Sequence, residues 1–598
     1  MKKRIFILFF GALSSLFALS AAEYGILVNS TTYYAGKHVE DNNGFTQYLA
    51  HVSIQNGDFF QLCDPFNDAR WAVKLDEYSA KGFTYDASKN CYTATVSGCY
   101  DCYIKLKYEH DQLYIGNGSN CGNGENYATM YKGSVPPRCG AIVMQAFYNE
   151  SYRADAPGVN LYGDTKWTTL TSQADELGQY IDYIWLPPSA YGDGMGYHPK
   201  QYGNQNSNWG TREELEALIS ALHKAGAKVV ADIVINHCLG WSTWCDFPEM
   251  DFGKFGKFYP DVSYIANTDE MNLNPDAGEC YGKATGPQDD GWGDWYGNWD
   301  GARDWAHDAP KVQDMFKAYL RWMREEMKYD GFRYDKGDGF NNWHHDNYNR
   351  ASKPEIAFME SYTNTDKITK QIDQANHNLM ALDFGTRWDA FGGIASFDYS
   401  KCKGSGMLGA GYAKYAITFI DSHDWFLRSD NENEFGGRGK SMTDELKDRL
   451  LQANAFMLSM PGVPCIFYPH WYKYKEALKP MIEARKLAGV HSESHVYDES
   501  AETGGYQCTI KGLDGWLVVQ LGNKTTHSGW GDSAYKLIAK GPGYAMWVNR
   551  TTPLPSGIEL LKDNSQVRPA IATKILRDGH LYIQLNGRIF DMTGRLVE

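Results

Sequence analysis

Residues 210–237 read GTREELEALISALHKAGAKVVADIVINH, an amphipathic helix followed at once by an apolar strand. Thr211 and Glu214 have the spacing of a capping box, in which the hydroxyl and the carboxylate each satisfy a backbone N–H at the helix start. This predicts a helix over 211–225. The run AKVVADIVINH (227–237) is too continuously apolar to be half-exposed and suits a strand covered on both faces. Its polar exceptions are Asp232, inside the run, and Asn236-His237 at its end.

The alternation continues in both directions. Apolar strands are expected at 141–147, 181–188, 329–335, 355–361, 379–384, 416–422 and 462–468, with helices between them, one of them over 309–328. Eight such strands predict a (β/α)8 TIM barrel across 136–489, with its chemistry where the strands end. The connection 238–303 after the third strand is too long for a loop and reads as a small inserted domain. Residues 23–135 carry short β runs (24–29, 47–54, 91–96, 102–108, 111–116) between turn clusters, the pattern of a β-sandwich. Residues 490–549 return to β pattern as a second β-domain. Residues 550–598 form a tail, a candidate for sorting or anchoring.

Composition narrows the partners. The 598-residue chain has a formal charge of −15, which disfavours nucleic acid. Aromatic residues make up 14%, many beside Gly, Asn and Asp, as suits stacking on an uncharged, hydroxyl-rich ligand such as a sugar. Lys2-Lys3-Arg4, the apolar run Ile5 to Leu19 and Ser20-Ala21-Ala22 make a secretory signal over 1–22. No later stretch reaches about 18 uninterrupted apolar residues, so no integral membrane segment is expected after cleavage. The expected location is extracellular or periplasmic, with the tail as a route to the cell surface. Six of the twelve cysteines (Cys63, Cys91, Cys99, Cys102, Cys121 and Cys139) fall in the first 139 residues, where export permits disulfides. Six cysteines allow fifteen pairings, so the connectivity is not legible. The later six read as scattered structural residues.

Polar clusters close four of the buried strands. Arg333 and Asp335 lie at i and i+2 on one side of the fourth strand. Glu360 ends the fifth, His423-Asp424 the seventh and Asn236-His237 the third. A barrel brings these ends together. Retaining glycosidases need a carboxylate nucleophile and a carboxylic acid about 5–5.5 Å apart. Arg333 would keep Asp335 ionised, and burial among like charges would keep Glu360 protonated as the acid. Asp424 would be a third carboxylate holding sugar hydroxyls in the distorted state. His237 and His423 would donate hydrogen bonds around the same sugar.

DIVINH (232–237), GFRYD (331–335), the Glu360 strand and FIDSHD (419–424), in this order, resemble the four signature regions of the α-amylase superfamily, glycoside hydrolase family 13. The resemblance runs from about Cys139 to Asn549, with WLPP (185–188), GYHPKQY (196–202) and GVPCIFY (462–468) adding to it. The end of the barrel and the second β-domain look similar to the plant-type α-amylases. The resemblance implies Asp335 as nucleophile, Glu360 as acid/base and Asp424 as transition-state stabiliser. It implies Tyr197 as a platform under the sugar, with Asp232, His237, Arg333 and His423 on the substrate side. It also implies a structural Ca²⁺ held by Asn236, Asp304 and the backbone carbonyl of Gly339, oxygen donors that suit this ion. The His344-His345-Asp346 run is read as a solvated loop face or a sugar contact rather than a zinc site.

Four positions depart from the family pattern. His198 stands where Asp is usual, Ser422 for Asn, Met359 for Gly, and Asp338 for a Lys that binds sugar beyond the cleaved bond. None removes a catalytic carboxylate. The expected function is therefore an exported, monomeric, endo-acting α-amylase that hydrolyses α-1,4-glucan with retention. The alternatives are a transglycosylase, an oligosaccharide-specific α-glucosidase or a non-catalytic glycan-binding protein. Trp71, Tyr85 and Tyr103 make the N-terminal sandwich a candidate starch-binding module.

Overall fold

The computed structural model describes residues 24–552, except 43–44, 66–68, 74, 77, 108–110, 128–129, 289–290, 292–301, 430–434, 438–440 and 526–532, and the backbone strands Thr573–Arg577, His580–Leu585 and Arg588–Asp591. The export segment 1–22 lies outside the described residues, as does most of the tail. The chain divides into two compact units, one ending at Lys132 and the other beginning at Gly133.

The second unit is built on a closed barrel of eight parallel strands: β1 (Val143–Gln145), β2 (Tyr183–Leu186), β3 (Lys228–Ile233), β4 (Gly331–Tyr334), β5 (Ile356–Met359), β6 (Met380–Leu382), β7 (Ala416–Phe419) and β8 (Val463–Phe467). Parallel pairing of β1 with β8 closes it. The expected (β/α)8 barrel is thus present. Its strands are buried throughout apart from Lys228, which is why they carry no polar alternation.

The helix before β3 spans Arg212–Lys224, and Thr211 and Glu214 make the reciprocal capping bonds. Leu215, Leu218, Ile219 and Leu222 form its buried face. The helix Pro310–Glu325 opens on a proline, whose missing N–H costs nothing at that position. It buries Met315, Phe316, Leu320 and Met323 completely. Each such side chain contributes about 1.5–3 kcal/mol, so an Asp at Met323 would break the packing of this layer.

One boundary differs from the sequence reading. The strand expected to run to His237 ends at Ile233. The chain then leaves the barrel, and His237–Cys238 pairs antiparallel with Arg303–Asp304. The inserted segment competes for these backbone groups, and that pairing sets the position of Asn236. Within the insert, Cys245 and Cys280 are joined by a disulfide with Cα atoms 5.5 Å apart. After β8, the helix Tyr468–Ala488 ends at Gly489, whose φ of 67° suits a residue without a side chain. A five-stranded antiparallel sheet from His495 to Arg550 follows.

The first unit has two antiparallel sheets. Ile26, Phe60, Leu62 and Tyr92 of one share a core with Tyr48, Val52, Tyr100, Ile104 and Ile115 of the other. A disulfide joins Cys99, on the strand Gly98–Leu106, to Cys121 in the segment after the strand Gln112–Asn117. Among the described residues no helix is long and apolar enough to cross a membrane.

Candidate active site

Arg333 organises the C-terminal mouth of the barrel. It lies on β4 with only 1% of its side chain exposed. Its Nη1 donates to Asp335 Oδ1 at 2.7 Å and to Asp232 Oδ1 at 2.8 Å, while Nη2 donates to Glu360 Oε2 at 2.6 Å. The i, i+2 spacing on β4 turns Arg333 and Asp335 to one side, and β3 and β5 bring the other two carboxylates to the same cation. A buried guanidinium is costly without partners, and three charge-assisted bonds offset that cost.

Desolvation raises the Glu360 carboxyl well above the ordinary carboxylate range; Arg333 opposes this, and Asp424, Asp335 and Asp232 reinforce it. A protonated carboxyl beside a carboxylate is the pairing acid–base chemistry needs.

Tyr197, from the loop after β2, donates its hydroxyl to Asp232 Oδ2 at 2.8 Å. Its ring stacks on His423, with centroids 4.8 Å apart and planes 6° from parallel. Gln145 Nε2 donates to His423 Nδ1 at 2.8 Å, which leaves Nε2–H to face Asp424 Oδ1 at 3.2 Å. His237 Nε2 donates to the Tyr197 carbonyl at 2.9 Å. Desolvation lowers the pKa of both histidines, favouring the neutral tautomers these bonds require. Asp424 is 42% exposed, the most open of the group.

Two sequence readings need correction. Asp232 was expected on the substrate side, but its side chain is fully buried and accepts from Trp185 Nε1, Tyr197 and Arg333. It braces the site from beneath. The His344-His345-Asp346 run is neither a solvated face nor a sugar contact, because all three residues are buried in the helix Trp343–Ser352. His344 Nε2 meets Asp308 Oδ1 at 2.9 Å, and Asp346 accepts from Arg350, Asn376 and Asn378. Their polarity reflects a buried network, which a charged tripeptide does not reveal by itself.

The pairing of His237 with Asp304 brings Asn236 beside that carboxylate, with Asn236 Nδ2 3.3 Å from Asp304 Oδ1. Gly339 arrives from the loop after β4; a Cβ there would come within 1.9 Å of Asn236 Oδ1, so only glycine fits. A Cβ on Gly291 would in turn come within 2.4 Å of the Gly339 carbonyl oxygen. Asp269, Glu270 and Asp304 have carboxylate oxygens within 4.8 Å of one another and could hold a metal ion. The donors are all oxygen, which fits a hard cation such as Ca²⁺. Asp269 was not legible in the sequence. Buried, it binds Arg303 Nε at 2.6 Å and the Asp304 N–H at 2.8 Å, and so fixes the backbone that presents Asp304.

Comparison with known proteins gives a family match. Residues 173–387 match the family model for the α-amylase catalytic domain, a span that includes every site residue above except Gln145, His423 and Asp424. The chain is 27% identical over 404 residues to chloroplastic α-amylase 3 of Arabidopsis thaliana, a match covering 63% of this chain and 42% of that protein. It is 23% identical over 433 residues to a protein of the same plant named "Probable alpha-amylase 2", covering 68% of this chain and 93% of the relative. It is 31% identical over 147 residues to an α-amylase type B isozyme of Hordeum vulgare, covering 24% of this chain and 86% of the relative. With these matches and the barrel that carries Arg333, Asp335 and Glu360, the chain belongs to the α-amylase superfamily, glycoside hydrolase family 13.

Proposed function

We propose that the protein is an exported α-amylase that cleaves internal α-1,4 bonds of starch-like glucans with retention of configuration. The observation that carries this reading is the single guanidinium of Arg333, bonded at once to Asp335 and Glu360. Such bridging holds the two carboxyl groups to one cation, which supports the short separation that double displacement uses.

Asp335 attacks the anomeric carbon while the Glu360 carboxyl delivers its proton to the departing glycosidic oxygen. The bond to that oxygen breaks, and a glycosyl ester forms on Asp335. Glu360, now ionised, takes a proton from water, and the resulting attack releases the sugar with its original configuration. Asp424, the most exposed of the carboxylates and held by His423 Nε2, faces the hydroxyls of the same sugar, and Tyr197 lies beneath it. Arg333 stabilises whichever carboxylate carries the charge at each stage. Asn236, Asp304 and Gly339, with Asp269 fixing Asp304, would hold Ca²⁺, which would pin the insert and the loop after β4. The basic segment 2–4 and the apolar run after it support export.

The first unit is read as a glucan-binding module on a separate observation. Tyr103 and Tyr114 pair across neighbouring strands with ring centroids 5.7 Å apart and, with Gln47, Lys105 and Val39, line a cavity of about 240 Å³. Rings beside hydrogen-bond donors suit a neutral sugar. Trp71 takes no part in this cavity: its indole donates to Asp111 at 3.1 Å and packs edge-on against Tyr24.

Reducing-sugar release from soluble starch, with proton NMR of the fresh product, tests the proposal. It requires the α-anomer first. β-Anomer first, or no release, would overturn it.

A further inference from the structure

The run AIVMQAF (141–147) carries a single polar side chain, Gln145, at the end of β1. Only 1% of the residue is exposed. A buried amide is costly unless its groups are bonded, so the identity of its partner is informative. That partner is His423: Gln145 Nε2 lies 2.8 Å from His423 Nδ1. Parallel pairing of β1 with β8, and of β8 with β7, brings the two residues together. The i, i+2 spacing turns Phe147 to the same side as Gln145, and its ring centroid lies 5.1 Å from that of the imidazole. Tyr197 stacks on His423, and Trp185 meets it edge-on at 6.4 Å. Three rings thus confine the imidazole, and Gln145 is the polar group on its Nδ1 side.

Contacts at both ring nitrogens fix where the proton sits. Nε2 faces the Asp424 carboxylate at 3.2 Å, a contact that only an N–H satisfies. Burial lowers the pKa of His423, so the ring is neutral and holds one proton. Nδ1 is then a bare lone pair, and it accepts from the Gln145 amide. The charged and titratable groups around the imidazole are Asp424 next to it in the chain, Arg333 on β4, Asp335 just past β4, and Tyr197 from the loop after β2. Burial and Arg333 disfavour a charged ring, whereas Asp424 and Asp335 favour it. A neutral donor at position 145 keeps the balance on the uncharged side.

The tautomer matters to the reaction. A ring protonated at Nδ1 alone would turn a lone pair toward Asp424 and repel it. A ring protonated at both nitrogens would neutralise the Asp424 charge. Either state weakens a carboxylate that faces a sugar becoming cationic in the transition state.

We propose that Gln145 is a positioning residue that locks His423 as the neutral Nε2–H tautomer, so that Asp424 keeps its charge and its direction during cleavage. This rests on the hydrolase reading above. Gln145 itself touches no substrate in this account and acts through the imidazole.

The test uses two variants of the full-length protein. Gln145→Met keeps the shape of the side chain and removes the donor. It should lower kcat on the order of tenfold with KM changed by less than about twofold. The loss should be equal on maltoheptaose and on α-maltotriosyl fluoride, because both place a sugar at Asp424. Gln145→Glu replaces the donor by an acceptor of the same size. A carboxylate there draws a second proton onto the ring, and an opposite charge at such range shifts a pKa by about 1–3 units. His423 then stays charged to higher pH, so the acidic limb of kcat should move upward by about one pH unit or more. Nitrogen NMR of histidine-labelled protein reads the ring without any turnover, with His423→Gln identifying the signal. Wild-type His423 should show one protonated and one bare nitrogen at pH 7, and Gln145→Glu two protonated ones. An acidic limb that stays in place in Gln145→Glu, a Gln145→Met that loses only thermal stability, or a bare Nε2 in the wild type would overturn the lock and leave the hydrolase reading intact. A wild type with the expected tautomer that turns over neither substrate would instead overturn the reading on which the lock rests.

Discussion

Replacing Glu360 by Gln removes the proton donor while keeping the side chain's shape. The amide oxygen can still accept from Arg333 Nη2, which now holds Glu360 Oε2 at 2.6 Å. A positioned general acid contributes roughly 10²–10⁴-fold, or about 3–5 kcal/mol of barrier, when the leaving group needs a proton. Starch needs that proton and a glycosyl fluoride does not. Turnover of starch should therefore fall by about three orders of magnitude, and turnover of α-maltotriosyl fluoride by far less. Stability should move the other way. Desolvation raises the folded-state pKa of Glu360 above the unfolded value of about 4.3. Above that pH the native state keeps a proton that the unfolded chain has lost, so stability falls as pH rises through the folded pKa. Each unit of that rise costs about 1.4 kcal/mol, roughly 1–4 °C of melting temperature. Glu360→Gln carries no such penalty. It should melt higher than wild type at pH 7, with the gap closing toward pH 4. Calorimetry at both pH values, beside initial rates on both substrates, checks the prediction. Equal rate losses on starch and fluoride, or a variant that melts lower than wild type at pH 7, would refute the assignment.

The remaining expectations follow from the same geometry. Asp335→Asn should lose several orders of magnitude on both substrates, because no glycosyl ester can form; comparable rates on the fluoride would exclude Asp335 as nucleophile. Excess chelator should lower the melting temperature and added Ca²⁺ restore it, since an ion bound only by the native state stabilises by mass action. Asp304→Ala should abolish that response, and a chelator-insensitive wild type without metal by elemental analysis would exclude the site. Tyr103→Ala with Tyr114→Ala should weaken adsorption to granular starch far more than hydrolysis of maltoheptaose; unchanged adsorption would remove the sugar-binding role of that face.

The chain-local features of this protein are legible in its sequence. The capping box at Thr211 and Glu214, the doubly buried strands and the i, i+2 pair Arg333 and Asp335 follow from periodicity and residue type over a few positions. Closing the barrel then brings the strand ends together. What tertiary structure alone decided are the contacts between segments whose separation carries no periodic signal. Asp269 reaches Arg303 and Asp304 only because the insert folds back on the chain after β3. Asp232 looked like a cleft residue and is a buried brace, because Trp185 of β2 and Tyr197 of the loop after β2 close over it. Trp71 and Tyr103 are equivalent in composition, yet an Asp111 partner binds the first and the pleat turns the second to the outer face. Gln145 and His423, 278 residues apart, meet only because the closed barrel brings β1 close to the end of β7. Burial and partnership belong to the packed chain, so residue type limits what each side chain can do while the fold determines what it meets.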